Sequence, residues 1–248
     1  MLIITVPSRA LDANCYVVAA GPNSPALVID PGLGTVEAVD EVVEHHGLSV
    51  RAVVASHGHL DHIYDVVAMC DAFDVPLWIH SADRHLLTDP WAGIDSDLRQ
   101  MLEPAFGQKQ WNEPARVQEI TGEEMSVGTL MGVGLDVVLR HAPGHTAGSI
   151  LIDMAGPPAE HSVLLTAPGD ELSTFTASKR TIFTGDVLFS GTIGRTDFPV
   201  SSPSAMDSTL DMIVSKLPAE SAIFPGHGPG TTLAREFRGN QWLASRFS

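Results

Sequence analysis

Residues Ser56–His57–Gly58–His59–Leu60–Asp61–His62 constrain this chain more than any other stretch: three histidines and one aspartate fall within six consecutive positions. They follow the apolar run Ala52–Val53–Val54–Ala55, which reads as a buried strand. Side chains two apart on an extended chain point the same way, so His57 and His59 can reach one point in space. Asp61 and His62 come after the chain has turned and can face a second point nearby. Imidazole and carboxylate are ligands for zinc and its first-row neighbours. The spacing H-x-H-x-D-H therefore predicts two adjacent metal ions; the competing reading is a histidine-rich surface turn without metal.

Three further segments each end in one such donor. These are His141–Ala142–Pro143–Gly144–His145, Thr181–Ile182–Phe183–Thr184–Gly185–Asp186 and Ala222–Ile223–Phe224–Pro225–Gly226–His227. Each places its donor on a loop at a predicted strand end, where a rigid sheet can position it. Proline and glycine beside the donors fix the turn and let the backbone pass close to an ion.

The set His57, His59, Asp61, His62, His145, Asp186 and His227 resembles the ligand set of the metallo-β-lactamase superfamily, and within it the glyoxalase II-like hydrolases. Asn14–Cys15–Tyr16–Val17, Val28–Ile29–Asp30–Pro31–Gly32, Gly185–Asp186–Val187–Leu188–Phe189, the run 191–199 and Pro225–Gly226–His227–Gly228–Pro229 support the likeness, which runs from about Asn14 to about Glu236. The resemblance implies an α/β fold of the four-layer αββα sandwich type, with two sheets face to face and helices outside. It implies that His57, His59 and His145 hold one divalent metal, Asp61, His62 and His227 a second, and that Asp186 bridges them. Asp61 and Asp186 are thus candidate catalytic carboxylates as well as ligands. Zinc is the first expectation, and iron or manganese suits the same donors. A water shared by two cations is expected to ionise near neutral pH and attack the substrate.

The implied activity is thioester hydrolysis, with S-lactoylglutathione as the type substrate. Other dinuclear hydrolases (lactonase, β-lactamase, phosphodiesterase) and the single-iron persulfide dioxygenases share the scaffold and are the alternatives. Only 21 residues follow His227, so the chain is similar to the short, bacterial-type relatives that lack the helical glutathione domain of the long enzymes. It departs from many relatives at Phe198–Pro199–Val200–Ser201–Ser202 and at Arg238–Gly239–Asn240–Gln241–Trp242.

Length and composition fit one domain over 1–248: 44% of residues are hydrophobic, enough to bury a sizeable core. Thirty acidic and 14 basic residues give a net charge of −16, and the cations are scattered, which argues against a nucleic-acid partner. The expected partner is a small-molecule thioester or related compound; no motif sets an oligomeric state. The start, Met1–Leu2–Ile3–Ile4–Thr5–Val6–Pro7, does not read as a signal peptide, and no apolar run suits a membrane span, so a cytoplasmic protein is expected. Cys15 and Cys70 read as buried small hydrophobes.

Strand-like runs are expected at Leu2–Val6, Cys15–Ala20, Ala26–Ile29, Ala52–Ala55, Leu77–Ile79, Leu135–Arg140, Ser149–Met154, Val163–Leu165, Thr181–Phe183 and Ala222–Phe224. Helical periodicity appears at Thr35–His46, Ile63–Phe73, Ser204–Lys216 and near Thr231–Arg238. Trp91–Glu119, with a helical piece around Asp95–Leu102, reads either as a cover for the metal site or as a surface connection with its own apolar cluster. Gly156–Lys179 reads as an extended surface loop. Among single residues, Asp30 suits either a partner for a ligand histidine or turn formation, His141 a structural role, and Arg195 with Asp197 a pair that shapes the loop after Asp186.

Overall fold

The architecture is that of a computed structural model, which describes residues 1–107, 109–159, 162 and 175–246. The expected strand Val163–Leu165 and most of the expected loop 156–179 lie outside the described residues.

Two sheets form from alternating sequence patterns. Along β1 (Leu2–Pro7), Leu2, Ile4 and Val6 join one apolar cluster and Ile3 the other, because successive side chains leave a strand on opposite faces. The first sheet runs β1, β2 (Asn14–Ala19), β3 (Pro25–Ile29), β4 (Ser49–Val54), β5 (Leu77–His80), β6 (Val117–Ile120). Its β1–β2–β3 edge is antiparallel and β3 to β6 are parallel. The second sheet contains β7 (Glu124–Ser126), β8 (Val137–His141), β9 (Ile150–Ala155), β10 (Arg180–Gly185), β13 (Ser221–Pro225) and β14 (Thr231–Thr232). Only β10 and β13 pair in parallel there. A two-stranded ribbon joins β11 (Leu188–Phe189) to β12 (Thr192–Ile193).

The inner faces of the two sheets meet through Ile3, Tyr16, Val18, Leu27, Ile152, Phe183 and Phe224. Tyr16 packs on Phe183 with ring centroids 5.0 Å apart. The outer face of the first sheet is covered by α1 (Val36–His46) and by α3 (Val66–Phe73), which follows the short α2 (Leu60–Ile63). After α4 (Ser96–Phe106) and the short α5 (Gly128–Met131), the outer face of the second sheet is covered by α6 (Pro203–Lys216), α7 (Leu233–Gly239) and α8 (Gln241–Ala244). Helix, sheet, sheet, helix is the order the resemblance implies. No helix among the described residues is long and apolar enough to cross a membrane.

The expected helix Ile63–Phe73 is interrupted. Asp65 turns its carboxylate away to accept from the backbone N–H groups of Gly34 and Thr35, at 2.7 and 3.0 Å, and the chain restarts at Val66. Cys15 and Cys70 are both buried and unpaired, as expected. Burial pushes the Cys70 thiol up to about 12, so it is protonated at neutral pH.

Candidate metal centre

Seven donor residues meet at the carboxyl ends of four strands. The chain leaving β4 carries His57 and His59, and Asp61 and His62 lie on α2 immediately after. His145 is in the turn after β8, Asp186 directly follows β10, and His227 follows β13. All seven residues of the sequence expectation converge here. The backbone N–H of Ile150 donates to the carbonyl of Ser56 at 2.8 Å, tying the β4 loop of one sheet to the start of β9 in the other.

The donors form two adjoining groups, joined by His57 and His62, whose ring centroids are 4.3 Å apart. His145 Nε2 lies 2.8 Å from His59 Nδ1, and the His57 ring centroid is 4.8 and 4.9 Å from those of His59 and His145. His62 Nε2 lies 3.2 Å from His227 Nε2, and Asp61 Oδ2 is 3.2 Å from the latter. Asp186 stands between the groups: its carboxylate is 3.6 Å from His145 Nε2 and 3.4 and 3.5 Å from His62 and His227. Within each group every residue offers one donor atom, and these atoms lie within 4.8 Å of one another.

The outward nitrogens explain why the inward ones are available. His57 Nδ1 meets Ser56 Oγ at 3.0 Å, and that hydroxyl itself donates to Asp30 Oδ2 at 2.6 Å, so it accepts from the ring. His59 Nε2 faces the carbonyl of Gly93, His145 Nδ1 that of Arg195, and His227 Nδ1 that of Leu11, at 3.2, 2.9 and 3.0 Å. His62 Nδ1 faces Asp30 at 3.1 Å. Each partner is an acceptor, so each outward nitrogen carries a proton, and the inward nitrogen is the one left to serve a cation, at once in a neutral ring and after loss of its second proton in a charged one. Onward hydrogen bonds of this kind accompany metal-ligating histidines. His57 Nε2 and Asp186 Oδ1 are buried with no hydrogen-bond partner, an expensive state that a cation between the groups relieves. The residues therefore fit divalent metal.

Charge separates the two groups. Burial, together with the neighbouring imidazoles, holds His57 well below its ordinary range, His59 down to about 3 and His145 to about 4; all three are neutral at pH 7. Burial opposes charge on His62 too, but Asp61, Asp186 and the bond to Asp30 outweigh it and carry the ring up to about 10. His227 is raised against its burial by the bond to Asp61 and the charge of Asp186. Asp61 is held well below the usual carboxylate range, burial being outweighed by His62 and by His227.

Asp30 combines both roles weighed for it: it sits at φ 52° before Pro31 and bonds His62 and Ser56. His141 is structural. Its ring stacks on His80 at 4.0 Å and 6°, and its Nε2 bonds the carbonyl of Ala147. Arg195 and Asp197 form the expected pair, at 2.9 and 3.0 Å. The departure at Phe198–Ser202 serves the centre: Ser201 Oγ donates to the His145 carbonyl at 2.6 Å and Ser202 caps α6. Asn14 and Tyr16 donate to the carbonyl of Pro225 and so steady the His227 loop. Gly226 is required by proximity, since a Cβ there would collide with Asp186 Oδ1.

Sequence reasoning missed Asp83. Fully buried, it accepts from Gly58 N at 2.8 Å, Thr146 Oγ1 at 2.6 Å and Gly148 N at 2.7 Å, linking the His57–His59 loop to the His145 loop. No spacing marks it; a lone acid in Ser81–Ala82–Asp83–Arg84 reads as surface.

The metallo-beta-lactamase superfamily model matches residues 9–159 of this chain. The chain belongs to the metallo-beta-lactamase superfamily. An uncharacterized protein of Mycobacterium tuberculosis is 34% identical over 98% of both chains. A superfamily relative named hydroxyacylglutathione hydrolase GloC, from Haemophilus influenzae, is 28% identical over 99% of this chain and 100% of its own. The crystal structure of TTHA1623 in a di-iron-bound form matches with a TM-score of 0.69 and 28% identity, over 96% of this chain and 99% of the other.

Proposed function

We propose that the protein is a dinuclear metal-dependent hydrolase of acyl thioesters, of the glyoxalase II type. The observation that carries this reading is the double set of inward donor atoms with Asp186 between them. On this reading His57, His59 and His145 hold one ion, Asp61, His62 and His227 the other, and Asp186 touches both. The named hydrolase relative and the di-iron neighbour support it. So does a net charge of −16, which suits a small substrate better than a polyanion.

When bound, divalent cations supply an acidified water and a Lewis acid for the scissile carbonyl. The chain's own residues do the rest. Asp30, directly and through Ser56, holds the protons of His62 and His57 on Nδ1, so that both Nε2 atoms point inward. The carbonyls of Gly93, Arg195 and Leu11 do the same for the other three rings. Leu60 and Phe198 border the polar atoms with apolar surface and limit water there.

The test is release of free thiol from S-lactoylglutathione and from simple acyl thioesters by protein of measured metal content. Release that is lost on chelation and restored by zinc or iron is the expected result. Absence of release by protein holding two metals overturns the thioester reading.

A further inference from the structure

A cavity of about 380 Å³ opens directly from the candidate centre. His59, Asp61, His145, Asp186 and His227 form its floor, and Leu60, Ile94, Leu98, Leu102 and Phe198 form much of the rest. Apart from the imidazoles, Arg195 is the one cation among its described lining residues, and it is already engaged. Its guanidinium is paired in bidentate fashion with Asp197 and lies 4.3 Å from the centroid of the Phe198 ring. Among the described residues the walls thus offer no unpaired cation to a charged substrate tail.

Leu11 is the second observation. It lines the same cavity, is 50% exposed, and its backbone sits at φ 59°. That conformation suits glycine or asparagine and is costly for leucine. Its carbonyl accepts from His227 Nδ1, which accounts for the backbone but not for the side chain. A large apolar group that is exposed and held on strained backbone gains nothing for the fold; lining a cavity, it covers a ligand.

We propose that this cavity takes the acyl arm of the substrate, and that the arm is apolar and uncharged, such as a straight alkyl chain of several carbons. This rests on the hydrolase reading for the carboxyl end, which sits at the metal centre, and narrows the substrate class to apolar acyl compounds. Arms that end in a carboxylate are the poorer fit, and a short arm such as lactoyl leaves the apolar part of the cavity unfilled.

The acyl product is the probe. Zinc-loaded protein is titrated by calorimetry with acetate, butanoate, hexanoate and hexanedioate. Affinity is expected to rise from acetate to hexanoate by about fourfold per methylene buried, and hexanedioate to bind less tightly than hexanoate. Equal affinity for acetate and hexanoate, or preference for hexanedioate, overturns the assignment. In Leu98→Asp the hexanoate advantage is expected to vanish. Leu11→Asn is expected to keep or raise Tm while weakening hexanoate severalfold; undiminished hexanoate affinity in that variant overturns the role of Leu11. If hexanoate binds as stated while hexanoyl thioesters are not cleaved, the cavity assignment stands and the thioester reading alone falls.

Discussion

Asp186 lies beside the site rings while Asp83 holds the loops that carry them, and their loss is expected to read differently. Asp186 is the residue that touches both donor groups. Asp186→Ala should lower bound metal and turnover together, as seen by elemental analysis alongside the thiol-release assay; two tightly held metals with normal turnover would contradict the bridging role. Asp83 touches no inward lone pair and only holds the loops. Asp83→Asn turns one acceptor into a donor facing N–H and O–H groups, which costs about 1–3 kcal/mol of stability and weakens metal binding by about 10–100-fold. Denaturant midpoints and a metal titration check both. His80 gives a pH signature. Burial and the adjacent His141 hold it down to about 4, and its Nδ1 accepts from Ala82 N at the start of the following turn. Below pH 6.5 the unfolded chain takes up this proton and the folded one does not, so stability falls from about pH 6.5 toward pH 4. His80→Phe should flatten that part of the urea-midpoint profile relative to wild type.

The segment between β5 and β6 settles into both roles weighed for it. Leu102 and Phe106 of α4 pack with Ala10, Leu60 and Ile94 in a satellite cluster, with Trp91 and Trp111 against it. The same segment, through Ile94, Leu98 and Leu102, walls the cavity. Phe106 is 1% exposed, and Phe106→Ala should cost about 3–5 kcal/mol in chemical denaturation, while also loosening the wall. Elements of this kind show how far the sequence can be read. Ile150, Ile152 and Met154 alternate with Leu151 between two buried faces, so β9 is legible from period alone. In β6 the run Val117–Gln118–Glu119–Ile120 has an exposed polar middle and edge position, and nothing in it separates strand from loop. The break at Asp65 is set by two amides some thirty residues upstream, a contact that no local pattern carries. The candidate donors are legible because each sits at or just after a strand end beside glycine, proline or another donor. Asp83 is not, because its meaning lies in the two loops it joins.

As a molecule, the protein gathers its donors from both sheets: His57, His59, Asp61 and His62 follow a strand of one, and His145, Asp186 and His227 follow strands of the other. No donor set exists in the unfolded chain, so metal that binds only the folded form stabilises it by mass action. Chelation is expected to lower Tm, and stepwise readdition of zinc to raise it in proportion to the logarithm of free metal above saturation; a Tm indifferent to metal would contradict a centre built between the sheets. The cavity wall has a different origin. Its Ile94, Leu98 and Leu102 hang from a single crossover whose two ends, Leu77–His80 and Val117–Ile120, are already locked side by side as neighbouring parallel strands. So long as Asp83 and the Gly93 carbonyl keep their bonds to the donor loops, the stretch that carries Ile94, Leu98 and Leu102 can be rewritten between relatives, so a lineage carrying this scaffold can acquire a new diet while keeping its teeth.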